Sequence, residues 1–441
     1  MRREVVITGV GVVSGLGLGA EALWDGLVAC RSCLAPITRF DATGFACRLA
    51  GDAGDIALRD HVPKSYRKAT KVMARDTELA VVAADLAAQQ AGLRTRAQDG
   101  EPTYPAGRIG THIGAGLIAA EADELAAAFV TAAEGGAMSL RIWGERGMGN
   151  LTPLWMLKYL PNMLACHVTI IHGCEGPSNT ITCAEASALL CLGESARVIE
   201  RGDADCCFSG GAESKVNQMG LTRFTLAGRM ATTGAHESGA DFVRPYDPEA
   251  PGQITGEAGA ILVLEGADAA EARGAAALAR ISGFGAGQSP APVAPLLERP
   301  PADFVDDGLV GAIEGALQDA GLAPDQIDVI VPHGAGHRVV DQIEAGALAA
   351  VFGRRLAELP LITITPNIGE SWAGAGGVQA AAAVMALRRQ MIPARIHAGT
   401  APPGLQAGRA QSQRRSLRHA LVCTHGLGGQ NAAMVLSRVQ G

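Results

Sequence analysis

The sequence predicts an α/β protein that consists of two related halves. Apolar strands repeatedly end at glycine-rich turns and continue into alanine-rich helices, which is the pattern of strand–helix units. The order of strand, small-residue turn and alanine-rich helix occurs around Glu185 and again around Ser371, which indicates a duplicated unit. With 441 residues, 48% hydrophobic and 18% charged, the chain can fill a core larger than that of one mid-sized domain. We therefore expect an N-terminal half at 1–254 and a C-terminal half at 255–441.

The elements of the first half follow from its apolar periodicity. In order, we expect a strand at 4–14, a helix from Glu21, a helix at 71–92, a strand at 108–114, a helix at 117–130 and a strand at 203–213. The glycines at 9–19 lack both the dinucleotide fingerprint and a phosphate-loop lysine, so they indicate close packing. Residues 131–150 are polar and contain several glycines, which predicts an excursion, a segment that leaves the core and lies on the surface. Residues 151–164 form a dense patch of large apolar side chains, which we interpret as an interface or tunnel wall, with buried core as the alternative.

The most informative stretch is 174–193, where a β-rich run changes within a few residues into an alanine- and leucine-rich helical run. A residue at such a turn has its side chain exposed at the end of the strand, next to the amides that begin a helix. Nucleophiles are commonly placed there. In this chain the residue is Glu185, and a carboxylate is a poor acyl-carrying nucleophile.

The second half repeats the same organisation. Strands are expected at 258–265, 326–331, 361–365 and 420–424. The strand at 326–331 ends at His333, and the strand at 361–365 leads through the turn around Ser371 into an alanine-rich helix that ends near Leu387. Ser371 therefore occupies the place in this half that Glu185 occupies in the first.

Composition argues against several classes of function. The net charge is −7, whereas nucleic-acid-binding proteins usually have a basic face, so no nucleic-acid partner is expected. Ten cysteines without paired metal-ligand spacing favour buried thiols in a reducing cytoplasm, with neither metal nor cofactor. The chain also has no long apolar segment, so neither secretion nor a membrane is indicated.

Several motifs, in their order and spacing, resemble those of the β-ketoacyl-acyl-carrier-protein synthases. They lie at 6–14, 176–178, 210–213, 244–247, 333–336 and 426–431, and Asp341 and Glu344 follow the fifth motif at family-like spacing. The resemblance covers the chain from Val5 to the last strand. It implies the thiolase-like fold, in which two duplicated α/β halves give a layered α-β-α-β-α architecture.

The catalytic residues of that family are mostly absent from this sequence. Catalytic members use a cysteine to carry the acyl chain and two histidines to decarboxylate the malonyl unit. By the resemblance, Glu185 stands at the cysteine and Ser371 at the second histidine, while His333 matches the first. Leu427 stands where many members have a gating phenylalanine, and Pro366 stands at the family's lysine. We call Glu185, His333, Ser371 and Leu427 the pseudo-active site.

The resemblance is greatest to the β subunits, or chain-length factors, of type II polyketide synthases. Those subunits pair with a cysteine-bearing ketosynthase, line the far end of its acyl tunnel and work on chains held by an acyl carrier protein. This implies tunnel or interface roles for Leu117, Glu121 and Leu125, which we expect on one helix face, and for Trp155 and Tyr159 in the apolar patch. An ordinary packed interface helix is an equally open interpretation.

Two other functions remain open from the sequence. His333 and backbone amides could stabilise an enolate, as in a malonyl-carrier decarboxylase that supplies starter units, although an ionised Glu185 would repel that charge. A homodimeric protein that binds acyl chains or acyl carriers is the other alternative. We expect Glu185 to form an ion pair or hydrogen bond beside His333 that fills the vacant acyl site. A shifted alignment with Cys183 as nucleophile, or Glu185 itself as acyl carrier, is disfavoured.

Overall fold

A computed structural model describes residues 2–289, 304–397, 399–426 and 428–439. The described strands are β1 (Val5–Ser14), β2 (Gly17–Leu18), β3 (Leu34–Pro36), β4 (Leu49–Gly51), β5 (Ile109–Gly114), β6 (Ala133–Glu134), β7 (Ala137–Met138), β8 (Ser178–Ile181), β9 (Cys206–Ser214), β10 (Glu257–Gly266), β11 (Ala279–Gln288), β12 (Val329–Val331), β13 (Met391–Ile392), β14 (Gln413–Arg414), β15 (His419–His425) and β16 (Gln430–Ser437).

The described helices are α1 (Ala20–Val28), α2 (Arg75–Gln90), α3 (Ala122–Ala132), α4 (Leu140–Glu145), α5 (Trp155–Lys158), α6 (Met163–His172), α7 (Ser187–Glu200), α8 (Gln218–Leu226), α9 (Ala267–Ala272), α10 (Asp307–Ala320), α11 (Arg338–Phe352), α12 (Thr365–Ile368) and α13 (Ala375–Arg389). Short 3₁₀ turns connect several of them, including the turns Ala184–Ala186 before α7 and Trp372–Gly374 before α13.

The main sheet joins two equivalent halves in the order β12-β15-β16-β11-β1-β10-β9-β5-β8. In the first half, β5 and β9 are parallel, and β9, β10 and β1 are antiparallel neighbours. In the second, β12 and β15 are parallel, and β15, β16 and β11 are antiparallel neighbours. β1 meets β11 through three residue pairs that involve Val5, Val6 and Ile7. The duplication expected from the sequence is therefore present in the strand order.

Helices α7 and α13 pack against each other and contact strands of both halves, so they form the middle layer. Their apolar residues, including Leu189, Leu192 and Val384, belong to one buried core with residues of β1, β10 and β16. Helices α2 and α6 cover the outer face of the first half, and α10 and α11 cover the outer face of the second. This gives the layered α-β-α-β-α architecture that was expected.

Glycines let the outer helices approach the strands closely in both halves. A Cβ atom on Gly11 would collide with the carbonyl oxygen of Ala83 in α2. A Cβ atom on Gly285 of β11 would collide with the carbonyl oxygen of Ala312 in α10. The interpretation of the early glycines as packing residues is therefore confirmed for Gly11, because glycine alone leaves room for a helix backbone at that distance.

The predicted bounds of two elements were wrong. The helix expected at 117–130 begins only at Ala122, and the strand expected at 361–365 is reduced to isolated bridges followed by α12.

The excursion at 131–150 contains the hairpin β6–β7 and α4. The expected boundary at 254/255 falls just before β10, which lies between β1 and β9 in the sheet of the first half. In the part of the chain that the structure describes, no helix is long and apolar enough to cross a membrane.

The close approach of β11 and α10 predicts that Gly285→Ala lowers stability by about 1–3 kcal/mol, because the added methyl group must displace the helix backbone. Gly311→Ala is the matched control, since Gly311 lies on the exposed side of α10 with no atom within 4 Å of its added Cβ. That substitution should raise stability by about 0.5–1 kcal/mol. Thermal unfolding of both variants measures the difference, and equal effects would contradict the packing argument.

Candidate functional site: the pseudo-active site

Glu185 lies in the short turn between β8 and α7. The preceding residue, Ala184, has a φ of 48°, in the left-handed region that non-glycine residues seldom adopt. Trp372 has a φ of 50° in the equivalent turn before α13. The same strained turn therefore precedes both middle helices, and in the first half it directs the Glu185 side chain into the interior, where it is fully buried.

The Glu185 carboxylate forms an ion pair with Arg229. Its Oε1 lies 2.7 Å from Arg229 Nη1, and both side chains are buried. Burial alone raises the pKa of Glu185, but the opposite charges of Arg229 and His333 outweigh burial and hold the pKa below its ordinary value. Glu185 is therefore ionised at neutral pH.

Aromatic rings hold the Arg229 guanidinium in position. The guanidinium carbon lies 4.5 Å from the centre of the Trp372 ring and 5.8 Å from that of Phe224. The two rings stack on each other at 3.6 Å with an interplanar angle of 9°. Because a guanidinium is weakly hydrated and attracted to aromatic faces, this arrangement lowers the cost of burying its charge.

His333 forms a second buried pair, with Glu370. Its Nε2 lies 2.8 Å from Glu370 Oε2. Burial lowers the pKa of His333, but the charge of Glu370, the hydrogen bond to it and the charge of Glu185 outweigh burial and raise the pKa to about 9. The imidazole is therefore protonated at neutral pH, and its Nε2 is committed to the Glu370 carboxylate.

Gln253 connects the two pairs. Arg229 Nε donates to Gln253 Oε1 at 2.8 Å, and Gln253 Nε2 donates to Glu370 Oε2 at 3.1 Å. We call the five side chains Glu185, Arg229, Gln253, Glu370 and His333 the polar ring. All five are buried, and its two carboxylates, guanidinium and imidazolium sum to zero charge. Opposite charges in contact are what make such burial tolerable.

Two further carboxylates hold the loop that carries His333. Glu344 accepts hydrogen bonds from the backbone N–H groups of His333 at 2.7 Å and Gly334 at 2.8 Å. Asp341 accepts from the N–H groups of Tyr246 at 2.9 Å and Gly336 at 3.0 Å. Burial raises the pKa of Asp341 to about 7. These contacts fix the backbone of the loop, so the orientation of His333 depends on more than its own side chain.

The structure brings together three residues of the pseudo-active site. Glu185 and His333 belong to the polar ring, and Ser371, which is buried, lines a cavity of about 10 Å³ with His333. Leu427 lies outside the described residues. Glu185 forms an ion pair, as expected, but its partner is Arg229, and its interaction with His333 is one of charge. That this pair fills a vacant acyl site stays a prediction.

Cys183 is not a substitute nucleophile in this geometry. It precedes the turn, it is half-buried, and burial raises the pKa of its thiol. Its backbone N–H donates to Ser187 Oγ at 2.8 Å, which ties it to the start of α7. A thiol with a raised pKa carries little thiolate, the form that attacks an acyl group.

The five residues assigned to a tunnel or interface have different surroundings. Leu125 on α3 and Tyr159 are buried, Trp155 is half-buried beside Tyr159, and Leu117 and Glu121 are exposed. The expected shared helix face was wrong, because Leu117 and Glu121 precede α3.

Tertiary contacts explain why the helix begins late. The side chain of Asn217 donates to Ala119 O at 3.0 Å and to Glu121 Oε1 at 3.4 Å. Gly116 lies so close to the Glu213 carboxylate that a Cβ atom there would collide with it. These contacts hold the residues before α3 in an extended path, against their helical propensity.

Sequence reasoning missed Arg229, Gln253 and Glu370. The available signal was electrostatic, because a buried carboxylate such as Glu185 requires a cation from elsewhere in the chain. Among the described residues, no group of three or more potential ligands could hold a metal ion.

Chemically, the polar ring has little capacity for acyl transfer. Its central group is a carboxylate engaged with a guanidinium, and carboxylates are weak nucleophiles toward thioesters. The imidazole that could stabilise an enolate is already bonded to Glu370, and the adjacent cavity holds at most one water molecule. The arrangement stabilises the interior of the subunit.

The ion pair predicts that Arg229→Met lowers stability by about 3–5 kcal/mol, because it leaves the charge of Glu185 buried without a partner. The double variant Glu185→Gln/Arg229→Met should cost less than the sum of the single variants in a double-mutant cycle measured by urea unfolding. Arg223→Met on the neighbouring α8 is the control, since the Arg223 guanidinium forms one long hydrogen bond within the described residues, to the carbonyl of Leu117 at 3.4 Å. Additive single effects would contradict a direct pair.

The raised pKa of His333 predicts a pH dependence. A group whose pKa is higher in the folded state stabilises the fold fully below its unfolded pKa of 6.5 and loses that contribution as pH rises through about 9. The free energy of unfolding should therefore fall between these values in the wild type. Glu370→Gln removes the main source of the shift, so its pH profile should be flatter. Urea unfolding at several pH values checks this, and parallel profiles would refute it.

Comparisons with known proteins identify the family of this chain. The family described as "Beta-ketoacyl synthase, N-terminal domain" matches residues 2–270, and "Beta-ketoacyl synthase, C-terminal domain" matches residues 304–399. The 3-oxoacyl-[acyl-carrier-protein] synthase 2 of Staphylococcus aureus (strain COL) is 27% identical over 441 residues, which cover 99% of each chain.

Two solved structures are also similar over the whole chain. "The ishigamide ketosynthase/chain length factor" has a TM-score of 0.83 and 27% identity, with 100% of both chains covered. A type II polyketide synthase ketosynthase in complex with its acyl-carrier protein has a TM-score of 0.82, and at 22% identity, with 100% of both chains covered, it shows the fold alone. Because the two domain matches span well over half of the chain, this protein belongs to the β-ketoacyl synthase family and has its thiolase-like fold.

Proposed function

We propose that this chain is a non-catalytic ketosynthase-like subunit, a chain-length factor, that pairs with a cysteine-bearing ketosynthase. In this role it shapes the partner's acyl tunnel while a polyketide or polyene chain is elongated on an acyl carrier protein. The observation that carries the proposal is the buried Glu185–Arg229 ion pair, at the residue that the resemblance aligns with the family's nucleophile.

The polar ring supports a structural role for that position. A single exchange of cysteine for glutamate could have changed the chemistry of an active site. Here the carboxylate is neutralised by Arg229, the remaining histidine is held by Glu370, and the cavity beside them measures about 10 Å³. An acyl chain needs far more space than one water molecule. In this proposal the relatives named as synthases share the fold with this chain, and a second subunit supplies the chemistry.

The surface of the first half supports pairing with another chain. β8 is an edge strand of the main sheet, with Ser178 and Asn179 exposed. An exposed strand edge offers backbone groups to another protein. Large apolar side chains are also exposed within residues 117–157, and we call them the apolar face: Leu117, Phe129, Val130, Met138, Leu140, Met148, Leu154, Met156 and Leu157. Exposed apolar surface of this kind is typical of contact sites.

The partner is inferred to be a ketosynthase of the same fold because the solved relative named as a ketosynthase/chain length factor aligns with the whole chain. A partner of that kind would supply the cysteine and second histidine that this chain lacks. We also propose that this protein is cytoplasmic and that it forms a heterodimer with the ketosynthase.

Co-expression with a cysteine-bearing ketosynthase from the same source tests the proposal directly. We expect the two proteins to purify as a one-to-one complex, and chain elongation on the acyl carrier protein should require both. Turnover of malonyl-carrier protein by this chain alone would instead favour the decarboxylase. A stable homodimer that binds acyl carriers without any ketosynthase would favour the third function.

The apolar face predicts a specific loss of pairing. Met156→Asp/Leu157→Asp places charges on exposed positions of α5, and burying them at an interface should weaken complex formation by about 10-fold or more. Val305→Asp is the control, because Val305 is a similarly exposed apolar residue just before α10, on the outer side of the second half. Quantitative co-purification measures both variants, and equal losses would count against the apolar face as the contact.

A further inference from the structure

Six arginines gather at the end of the subunit that α13 separates from the polar ring. They come from three segments, which are the end of α13, the stretch from β14 to β15, and the end of β16. The helix has 15 residues, and at about 1.5 Å per residue it places this end about 22 Å from the turn that carries Trp372. We call these six residues the arginine surface: Arg388, Arg389, Arg414, Arg415, Arg418 and Arg438.

Gln390, which follows α13, connects the three segments. Its backbone oxygen accepts from the N–H of Arg415 at 3.0 Å. Its side-chain amide donates to the carbonyl of Leu417 at 2.8 Å, and its Oε1 accepts from Arg438 Nη1 at 3.4 Å. The backbone N–H of Arg438 donates in turn to the carbonyl of Arg418 at 2.8 Å. Hydrogen bonds therefore hold the backbones that carry the six cations next to one another.

Few carboxylates neutralise the arginine surface. Arg389 Nη2 lies 2.5 Å from Glu21 Oε2, and Arg418 Nε lies 3.9 Å from Asp328 Oδ2. Asp328 also accepts from the backbone N–H of Arg418 at 2.6 Å, which engages part of its charge. Within the described ranges the other four arginines form no ion pair. The helix dipole favours cations such as Arg388 and Arg389 at the end of α13, but it does not account for the rest.

The positive charge is concentrated on a protein that is acidic elsewhere. The chain has a net charge of −7, and without these six arginines the net charge would be −13. Like charges that are held together repel one another, and a partner that brings carboxylates to them relieves this repulsion. The charge pattern therefore fits an acidic partner at this end of the subunit.

A groove of about 750 Å³ adjoins the arginine surface. Arg418 and Arg438 line it, and so do Glu4 and Glu271. In the sheet, β11 separates β15 and β16 from β1, so the two arginines lie on one wall and Glu4 on the other. Arg280 of β11 lies between them and pairs with Glu4 at 3.0 Å. Small apolar side chains line the acidic side: Ala267, Ala270, Ala275 and Ala277.

The two unlike walls decide which kind of partner fits. A nucleic acid carries phosphates along its whole length and an anionic membrane is charged over its whole surface, so either would bring negative charge against Glu4 and Glu271. Residues 388–392, 413–419 and 437–439 also contain no Phe, Tyr or Trp on which bases could stack. A protein segment can carry carboxylates on one side only, because alternate residues of an extended segment point in opposite directions.

We propose that the groove and the arginine surface bind a segment of a partner protein that is acidic along one side. Arginine suits this role because its planar guanidinium pairs with a carboxylate through two parallel hydrogen bonds. The small side chains on the other wall leave room for the neutral side of the segment. Since this end lies about 22 Å along α13 from the pseudo-active site, the surface is separate from that site. The inference does not depend on the proposed function.

Fluorescence anisotropy of the purified full chain tests this inference with a labelled peptide of about 12 residues in which glutamate and threonine alternate. A peptide with glutamine in place of glutamate is the uncharged comparison. The wild type should bind the glutamate peptide about 10-fold or more tightly than the glutamine peptide. Arg418→Glu/Arg438→Glu should weaken this binding by about 10-fold or more, and Arg418→Gln/Arg438→Gln by about 3-fold.

Arg67→Glu/Lys68→Glu is the matched control. It makes the same change of charge at two exposed cations of another basic segment, and neither residue lines the groove. The control should keep the wild-type affinity within about 2-fold, because exposed charges outside the site are screened by salt. Equal weakening in the two glutamate variants would mean attraction to net charge alone and would overturn the inference.

Two further probes decide between kinds of partner. A single-stranded oligonucleotide, or vesicles of phosphatidylserine and phosphatidylcholine, are titrated in the same way. Tighter binding of either probe than of the glutamate peptide, with the same loss in Arg418→Glu/Arg438→Glu, would overturn the inference in favour of that partner. A glutamate peptide that does not bind the wild type overturns it as well. Thermal unfolding identifies any variant that has lost its fold, and Arg418→Gln/Arg438→Gln then carries the comparison.

Discussion

The ion pair between Glu185 and Arg229 is the interaction on which the interior of this subunit depends. A carboxylate at the start of α7 is fully buried, and burial without a cation would cost more than the net stability of many domains allows. Arg229 meets this requirement because Trp372 and Phe224 cover its guanidinium. Gln253 then couples the pair to Glu370 and His333, so the state of one side chain affects all of them. The result is a buried polar ring of zero net charge beside the start of α7.

Much of the fold could be predicted from local patterns in the sequence. β1, β10 and α13 were expected close to where they lie, because apolar strands and alanine-rich helices carry their own periodicity. The start of α3 could not be predicted in this way. The side chain of Asn217, which is distant in the sequence, binds the residues before the helix and keeps them out of it. The same limit applies to the site. Glu185 and His333 were found by their motifs, whereas Arg229 and Glu370 enter through tertiary contacts that no local pattern encodes.

The two halves show how the fold keeps the same backbone turn with different side chains. Ala184 and Trp372 occupy the same left-handed conformation before the two middle helices. That conformation is unfavourable for residues with a side chain, so the surrounding packing must enforce it. Gly211 of β9 provides part of that packing, since a Cβ atom there would collide with the carbonyl oxygen of Ala373 in the turn before α13. The backbone geometry of a nucleophile's turn is thus maintained by the layers around it, whatever side chain it carries.

The neutrality of the polar ring also constrains how this chain can evolve. Exchanging Glu185 for cysteine would leave Arg229 without its carboxylate partner, and exchanging Arg229 first would leave Glu185 without its cation. Either intermediate carries an unmatched buried charge, so each route to a thiol passes through a less stable protein. Epistasis of this kind makes the exchange of Glu185 for a thiol difficult to reach by single substitutions.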